Sequence, residues 1–106
     1  MIIYNVTIKI AAEAAEEWLQ WMSSKHIPDV MATGSFSSYQ INKVISHQEQ
    51  DDDPTFAIQY TCADMATLHQ YHVKHAPALQ EEHTQRYKDQ FVAFRTLLEV
   101  IEQSGG

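Results

Sequence analysis

The stretch Trp18–Gly34, WLQWMSSKHIPDVMATG, gathers two tryptophans, a histidine, a proline, an aspartate and a closing glycine into one short segment. Apolar residues recur through it at helical spacing, with Ala15, Trp18, Leu19 and Met22 followed by Val30 and Met31, which marks a single buried stripe. Pro28 interrupts that stripe. Having no amide hydrogen and a ring that collides with the carbonyl four residues back, it is expected to bend the helix, or to end it near Lys25 and open a fresh turn. Asp29 then falls in the new first turn, where negative charge suits the helix dipole, and Gly34 supplies the stop. Trp18, Trp21 and Met22 read as core residues of this helix rather than as a cofactor box, given the area aromatic side chains bury.

On the amino-terminal side, residues 2–10 alternate strictly, with Ile2, Tyr4, Val6, Ile8 and Ile10 on one face and Ile3, Asn5, Thr7 and Lys9 on the other. That is a strand with one buried face. On the carboxyl-terminal side, residues 36–46 predict a second strand whose apolar parity changes midway, and residues 47–54 (HQEQDDDP) read as a solvated hairpin loop. Its aspartates lack the alternating ligands and glycine of a calcium loop. Residues 55–62 alternate again and end at Cys62, a small buried hydrophobe. Residues 63–90 predict a second helix, with Asp64 as its cap and Pro77 breaking it much as Pro28 breaks the first. Lys25-His26-x-Pro28 and Lys74-His75-x-Pro77 share a short string, the trace a duplicated strand-helix-strand unit would leave. Residues 91–101 are apolar on both faces, Val92, Phe94, Leu98 and Val100 against Phe91, Ala93, Leu97 and Ile101.

At 106 residues and 44% hydrophobic content the chain is expected to form one domain over residues 1–103, with 104–106 a flexible tail. Fourteen acidic residues against seven basic ones give a net charge of -7, which disfavours nucleic acid and anionic membrane surfaces as partners. A lone cysteine excludes an internal disulfide, and the amino terminus reads as a strand rather than a signal peptide, so a cytoplasmic location is expected. No apolar run reaches the roughly 18 residues of a membrane span.

The element order strand, helix, strand, strand, helix, strand predicts an α+β, ferredoxin-like βαββαβ fold, an antiparallel four-stranded sheet with two helices on one face. The other face is then bare. Phe91, Leu97 and Ile101, joined by Ile3 and Ala57, are expected on it, and a second subunit is the economical cover for so apolar a patch. Asn5, Thr7, Gln59, Arg95 and Glu99 are expected on the same face, looking into the space between two subunits.

The strings MIIYNVT, EWLQWM, HIPDVMATG followed by Phe36, FAIQY and FVAFRTLLEV resemble an uncharacterised family of short bacterial proteins, a domain of unknown function. The resemblance runs from Met1 to about Ile101, nearly the whole chain. It implies a dimeric α/β barrel, in which two ferredoxin-like subunits press their bare sheet faces together, and it implies no activity. The wider superfamily resembles cofactor-free monooxygenases, haem-degrading enzymes, chlorite-processing enzymes and stress proteins, so fold analogy spreads the functional reading thinly.

Six histidines invite a metal hypothesis, and His69, His72 and His75 stand three apart on the second helix. Their line drifts by about 60° from first to last, so a chelating pair is conceivable but a closed metal site is not. No metal site and no cofactor are expected. His26 and Asp29 are the candidate catalytic pair, because a carboxylate beside a histidine fixes its tautomer and strengthens it as a base; capping and dipole effects offer the plainer explanation of both. Arg95, Asn5, Gln59 and Glu99 are the candidate ligand-binding residues, although Arg95 and Glu99, four apart, have the option of pairing with each other. Two functions follow: a small homodimeric binding protein with a small-molecule pocket, or a cofactor-independent enzyme using His26, helped by Asp29, Tyr39 or Tyr60.

Overall fold

The computed structural model describes residues 1–46 and 52–105. Strand β1 (Ile2–Ile10) leads through a 3-10 turn (Ala12–Ala14) into a long helical stretch made of α1 (Ala15–Trp21), a π-helical turn (Met22–His26) and α2 (Ile27–Ala32). Strands β2 (Ser38–Lys43) and β3 (Thr55–Cys62) follow, then helices α3 (Met65–Lys74) and α4 (Ala76–Arg86), then β4 (Phe91–Glu99). Most of the segment expected as a hairpin loop, residues 47–51, lies outside the described residues. The sheet order is β2-β3-β1-β4 with every neighbouring pair antiparallel, which is the expected ferredoxin-like arrangement.

Alternation along β1 and β3 sets the two faces. Tyr4 pairs with Tyr60, Val6 with Ile58 and Ile8 with Phe56, and these side chains carry the core together with Trp18, Leu68 and Tyr71 from the helices. Both helical stretches therefore cover one face. Trp18 is fully buried and packs on Phe56 at 5.3 Å between ring centroids, while Tyr4 sits among Phe36, Tyr60 and Tyr71, each at 6.0 Å. Cys62 is buried, as expected.

The final strand departs from expectation. Its register against β1 pairs Ile10 with Phe91, Ile8 with Ala93, Val6 with Arg95, Tyr4 with Leu97 and Ile2 with Glu99. Directly opposed residues share a face, so Phe91, Arg95, Leu97 and Glu99 lie on the helix side, and Ile101 lies beyond the strand. The bare face instead carries Val92, Phe94, Thr96 and Leu98, opposed to Lys9, Thr7, Asn5 and Ile3. Asn5 and Gln59 are on that face as expected, opposite one another. The reason is physical: a strand apolar on both sides has no parity of its own, and pairing with its neighbour decides.

The helix break is milder than expected at Pro28 and falls as expected next to Pro77. Pro28 does not end the first helix; the chain widens one turn, Ile27 N–H bonding to the Met22 carbonyl, and runs on into α2 with Pro28 in its first turn. Gly34 closes it with φ at 78°, the left-handed conformation glycine adopts freely. The second helix does divide, at His75, with Pro77 again in the first turn of the following segment. Asp64 caps α3 by accepting the Thr67 amide at 2.8 Å.

Trp18→Ala removes the largest fully buried side chain and a buried hydrogen bond described below. It should cost about 3–5 kcal/mol in urea denaturation, the range for a core aromatic truncation. An unchanged midpoint would contradict this packing.

Candidate functional site: a cavity between sheet and helices

A cavity opens between the helix-bearing face of the sheet and the helices. Val6, Ile8, Ile58, Phe91 and Ala93 form its sheet wall, Met22, His26 and Val30 come from the first helical stretch, and Leu79, Gln80, His83 and Thr84 from α4. Tyr4, Tyr60, Tyr71 and Arg95 complete the lining. The space, mouth included, is ≈ 520 Å³, and its enclosed part is small, ≈ 50 Å³. At about 10–15 Å³ per water, the enclosed part holds a few waters.

The π-helical turn delivers His26 to this wall. In an unbroken α-helix the position following Met22 on the inner face is three or four residues on; here the buried positions are Met22 and Ile27, five apart, and His26 is the residue that ends the widened turn. Pro28 explains the widening, since its ring cannot sit against an ordinary i-4 carbonyl. The ring of His26 stacks on Trp21 at 5.2 Å, and its Nδ1 is shielded from water with no hydrogen-bond partner among the described residues. Burial holds its pKa below the ordinary histidine value, against the opposing pull of Glu82 and Asp29.

His83 stands beside it, the two rings 5.7 Å apart. Only 6% exposed, His83 accepts the Trp18 indole N–H on Nε2 at 2.9 Å and meets the edge of Phe91 at 4.5 Å. An indole nitrogen donates only, so the Nε2 of His83 carries a lone pair and the proton of the neutral ring resides on Nδ1. Burial first, then the neighbouring His26 and Arg95, push its pKa down to about 4. The site thus sets side by side two imidazoles whose burial disfavours the charged form.

Among the expected site residues, His26 and Arg95 come together in this cavity, whereas Asn5 and Gln59 lie on the opposite face of the sheet. Glu99 is at the far end of β4 beside Ile2 and does not line the cavity. Asp29 is not the partner of His26: its carboxylate is taken by Lys25, which also reaches Glu82 at 3.4 Å. Of the expected helpers, Tyr60 borders the cavity and Tyr39 does not. Among the described residues no three metal-ligating side chains gather, and the Nδ1 of His72 faces the Leu68 carbonyl at 3.1 Å. His83 escaped the sequence reading; the signal for it was its place on the stripe Leu79, His83, Tyr87, where a histidine interrupts otherwise apolar inward positions.

Comparison with known proteins places the chain. Residues 1–101 match a family described as Domain of unknown function (DUF4286). The chain belongs to this family. No protein of curated function matches it by sequence. In structure, the family fold seen here is similar to MhuD, a heme-degrader from Mycobacterium tuberculosis with two hemes bound in its active site, at TM-score 0.68, 16% identity, and coverage of 99% of this chain and 100% of that one. It is similar to SnoaB, a cofactor-independent oxygenase from Streptomyces nogalater, at TM-score 0.66, 10% identity, and coverage of 96% and 94%. A dimeric ferredoxin-like protein from an uncultured marine organism superposes at TM-score 0.70, 9% identity, and full coverage of both chains. At such identities the likeness shows the shared ferredoxin-like fold. Among the described residues no helix is long and apolar enough to cross a membrane.

The two imidazoles make stability depend on pH in a definite direction. Both titrate lower in the folded chain than the free value of about 6.5, so below that pH the unfolded chain takes up protons that the folded chain refuses. Stability should fall as pH drops from about 6.5 toward 4, by roughly 2–3 kcal/mol for His83, and level off in this respect once His83 itself protonates. Urea melts across that range check it: His83→Gln should flatten the dependence, and a wild-type curve that rises on acidification would contradict the assignment.

Proposed function

We propose that the sheet–helix cavity is a small-molecule site in which His26 acts as proton acceptor, without a cofactor of its own. The supporting observation is the half-buried His26 imidazole at the cavity wall, one nitrogen shielded and, among the described residues, unpartnered, next to a His83 whose tautomer Trp18 fixes. A bound molecule gives an O–H or C–H proton to the unprotonated ring nitrogen of His26, leaving the molecule an anion and His26 an imidazolium; desolvation makes the neutral ring available as a base at neutral pH. Tyr60 and Tyr71, whose burial raises their phenol pKa values, keep their protons and serve as hydrogen-bond donors. The likeness to a cofactor-independent oxygenase supports the reading as analogy of fold. Haem is bound by another neighbour; in this chain the Nε2 of His83 accepts the Trp18 indole N–H and is not offered to an iron.

A binding role without catalysis is the second reading, and one observation favours it. Asp29 is engaged by Lys25, and among the described residues no carboxylate is hydrogen-bonded to the Nδ1 of His26, so Glu82 and Asp29 act on the ring only through their charge. His26→Gln separates the two: under the enzyme reading it leaves the melting temperature nearly unchanged and abolishes turnover of substrates found by metabolite screening. NMR titration adds a direct check, since a His26 that titrates at about 6.5 as a freely exposed imidazole would remove the desolvated setting on which this reading rests.

We further propose a homodimer through the bare face. Val92 and Phe94 are 67% and 63% exposed there, with Leu98 and Ile3 beside them, and an isologous contact covers the same patch on both copies. The dimeric neighbour supports this arrangement. The buried interface should exceed about 1,000 Å² in total. Phe94→Asp should convert a dimer to a folded monomer in light scattering; a wild-type chain that is monomeric at micromolar concentration would end the proposal.

A further inference from the structure

The charge of the cavity wall runs against the charge of the chain. With 14 acidic and 7 basic residues the protein is strongly anionic, yet none of the residues lining the cavity is acidic, and one, Arg95, carries a guanidinium. Among the described residues Arg95 forms no ion pair. Its only described hydrogen bond is from Nε to the Tyr4 hydroxyl at 3.2 Å, which leaves both terminal nitrogens of the guanidinium uncommitted. The carboxylates on the neighbouring helices are engaged elsewhere: Asp29 and Glu82 with Lys25, and Glu17 with Arg86.

The rest of the polar wall is rich in donors. Tyr4 accepts from Arg95, so its own proton is free to be given. His83, with Nε2 closed by Trp18, has an N–H at Nδ1. A guanidinium fork without a counter-ion among the described residues, standing beside a phenol donor at the exposed end of a slot whose sheet wall is apolar, matches a planar carboxylate in two parallel hydrogen bonds. The body of such a molecule would lie against Val6, Ile58 and Ala93, within the ≈ 520 Å³ that the cavity spans together with its mouth.

Resting on the reading of this cavity as a small-molecule site, we propose that its ligand is a small planar carboxylate, held by Arg95 and the Tyr4 hydroxyl with its apolar body directed inward toward His26 and His83. The carboxylate is the anchor, and the reacting proton belongs to the inner end.

Benzoate is the probe, with benzamide as its uncharged isostere and inorganic phosphate as a compact anion. In NMR titration of the full chain, benzoate should shift the signals of Tyr4, Arg95 and the neighbouring β1 and β4 amides, with an affinity at least tenfold above that of benzamide. Arg95→Gln should lower benzoate affinity tenfold or more and leave benzamide unchanged, and Tyr4→Phe should lower it several-fold. On the unmodified protein, added salt should weaken benzoate and not benzamide, so the test does not depend on the variants folding. Equal binding of benzamide, benzoate affinity indifferent to Arg95→Gln, absence of benzoate binding at millimolar concentration, or phosphate moving the same signals as strongly would each overturn the proposal. Benzoate bound through Arg95 while His26 titrates as a free imidazole would sustain it and remove the proton-transfer role; a low-titrating His26 with no benzoate binding would do the reverse.

Discussion

The hydrogen bond from the Trp18 indole to the Nε2 of His83 is the constraint from which the site takes its form. It joins the first helical stretch to α4 across residues 65 apart in sequence, in a setting shielded from water. There an unmade hydrogen bond is expensive and a made one is strengthened by the low local dielectric. It also settles a chemical question that position alone leaves open, because a donor-only partner leaves His83 one neutral tautomer. The rings around it, Trp21, Phe91 and Tyr87, then have a fixed object to pack on.

A second tie closes the same pair of helices at their other flank. Tyr87 and Arg86, at the end of α4, both give hydrogen bonds to the Glu17 carboxylate, and the Arg86 guanidinium lies 5.2 Å over the Trp21 ring. This group is exposed on one side, so its ion pair is worth little by itself. Its effect is geometric: the carboxylate, phenol, guanidinium and indole hold one another in a single arrangement, and Trp21 is kept against His26. The cation and the acid of this flank pair with each other and do not line the cavity, whose charged group is Arg95.

The fold was legible where polarity alternates. Ile2 to Ile10 and Thr55 to Cys62 declare their buried faces, and with the helices between them they leave few topologies open. Phe91 to Glu99 was not legible in the same way, because Val92 and Phe94 are as apolar as Phe91 and Ala93; the register with β1 carries that information, and register is a property of two strands. Arg95 was singled out from its chemistry and placed on the wrong face for this reason. His26 was visible beside Pro28, but its neighbour was misjudged: Asp29 is close in sequence and belongs to Lys25, while His83 is distant in sequence and adjacent in space. The triplet His69, His72, His75 drew attention by spacing alone, and spacing along one helix says nothing of what faces it.

The widened turn at Met22–His26 amounts to a regular helix that has absorbed one extra residue. Because the surplus is confined to that turn, Trp18 before it and Val30 after it both remain in phase with the core, each fully buried or nearly so. An α-helix advances by about 100° per residue, so spreading a single added residue through the helix would swing one half of the stripe out of the interior. Localising it preserves both halves. The same economy makes the segment length-sensitive: dropping one of the exposed residues Ser23, Ser24 or Lys25 would let the helix heal to ordinary geometry with its packing intact, and would take from His26 the place that the extra residue gives it.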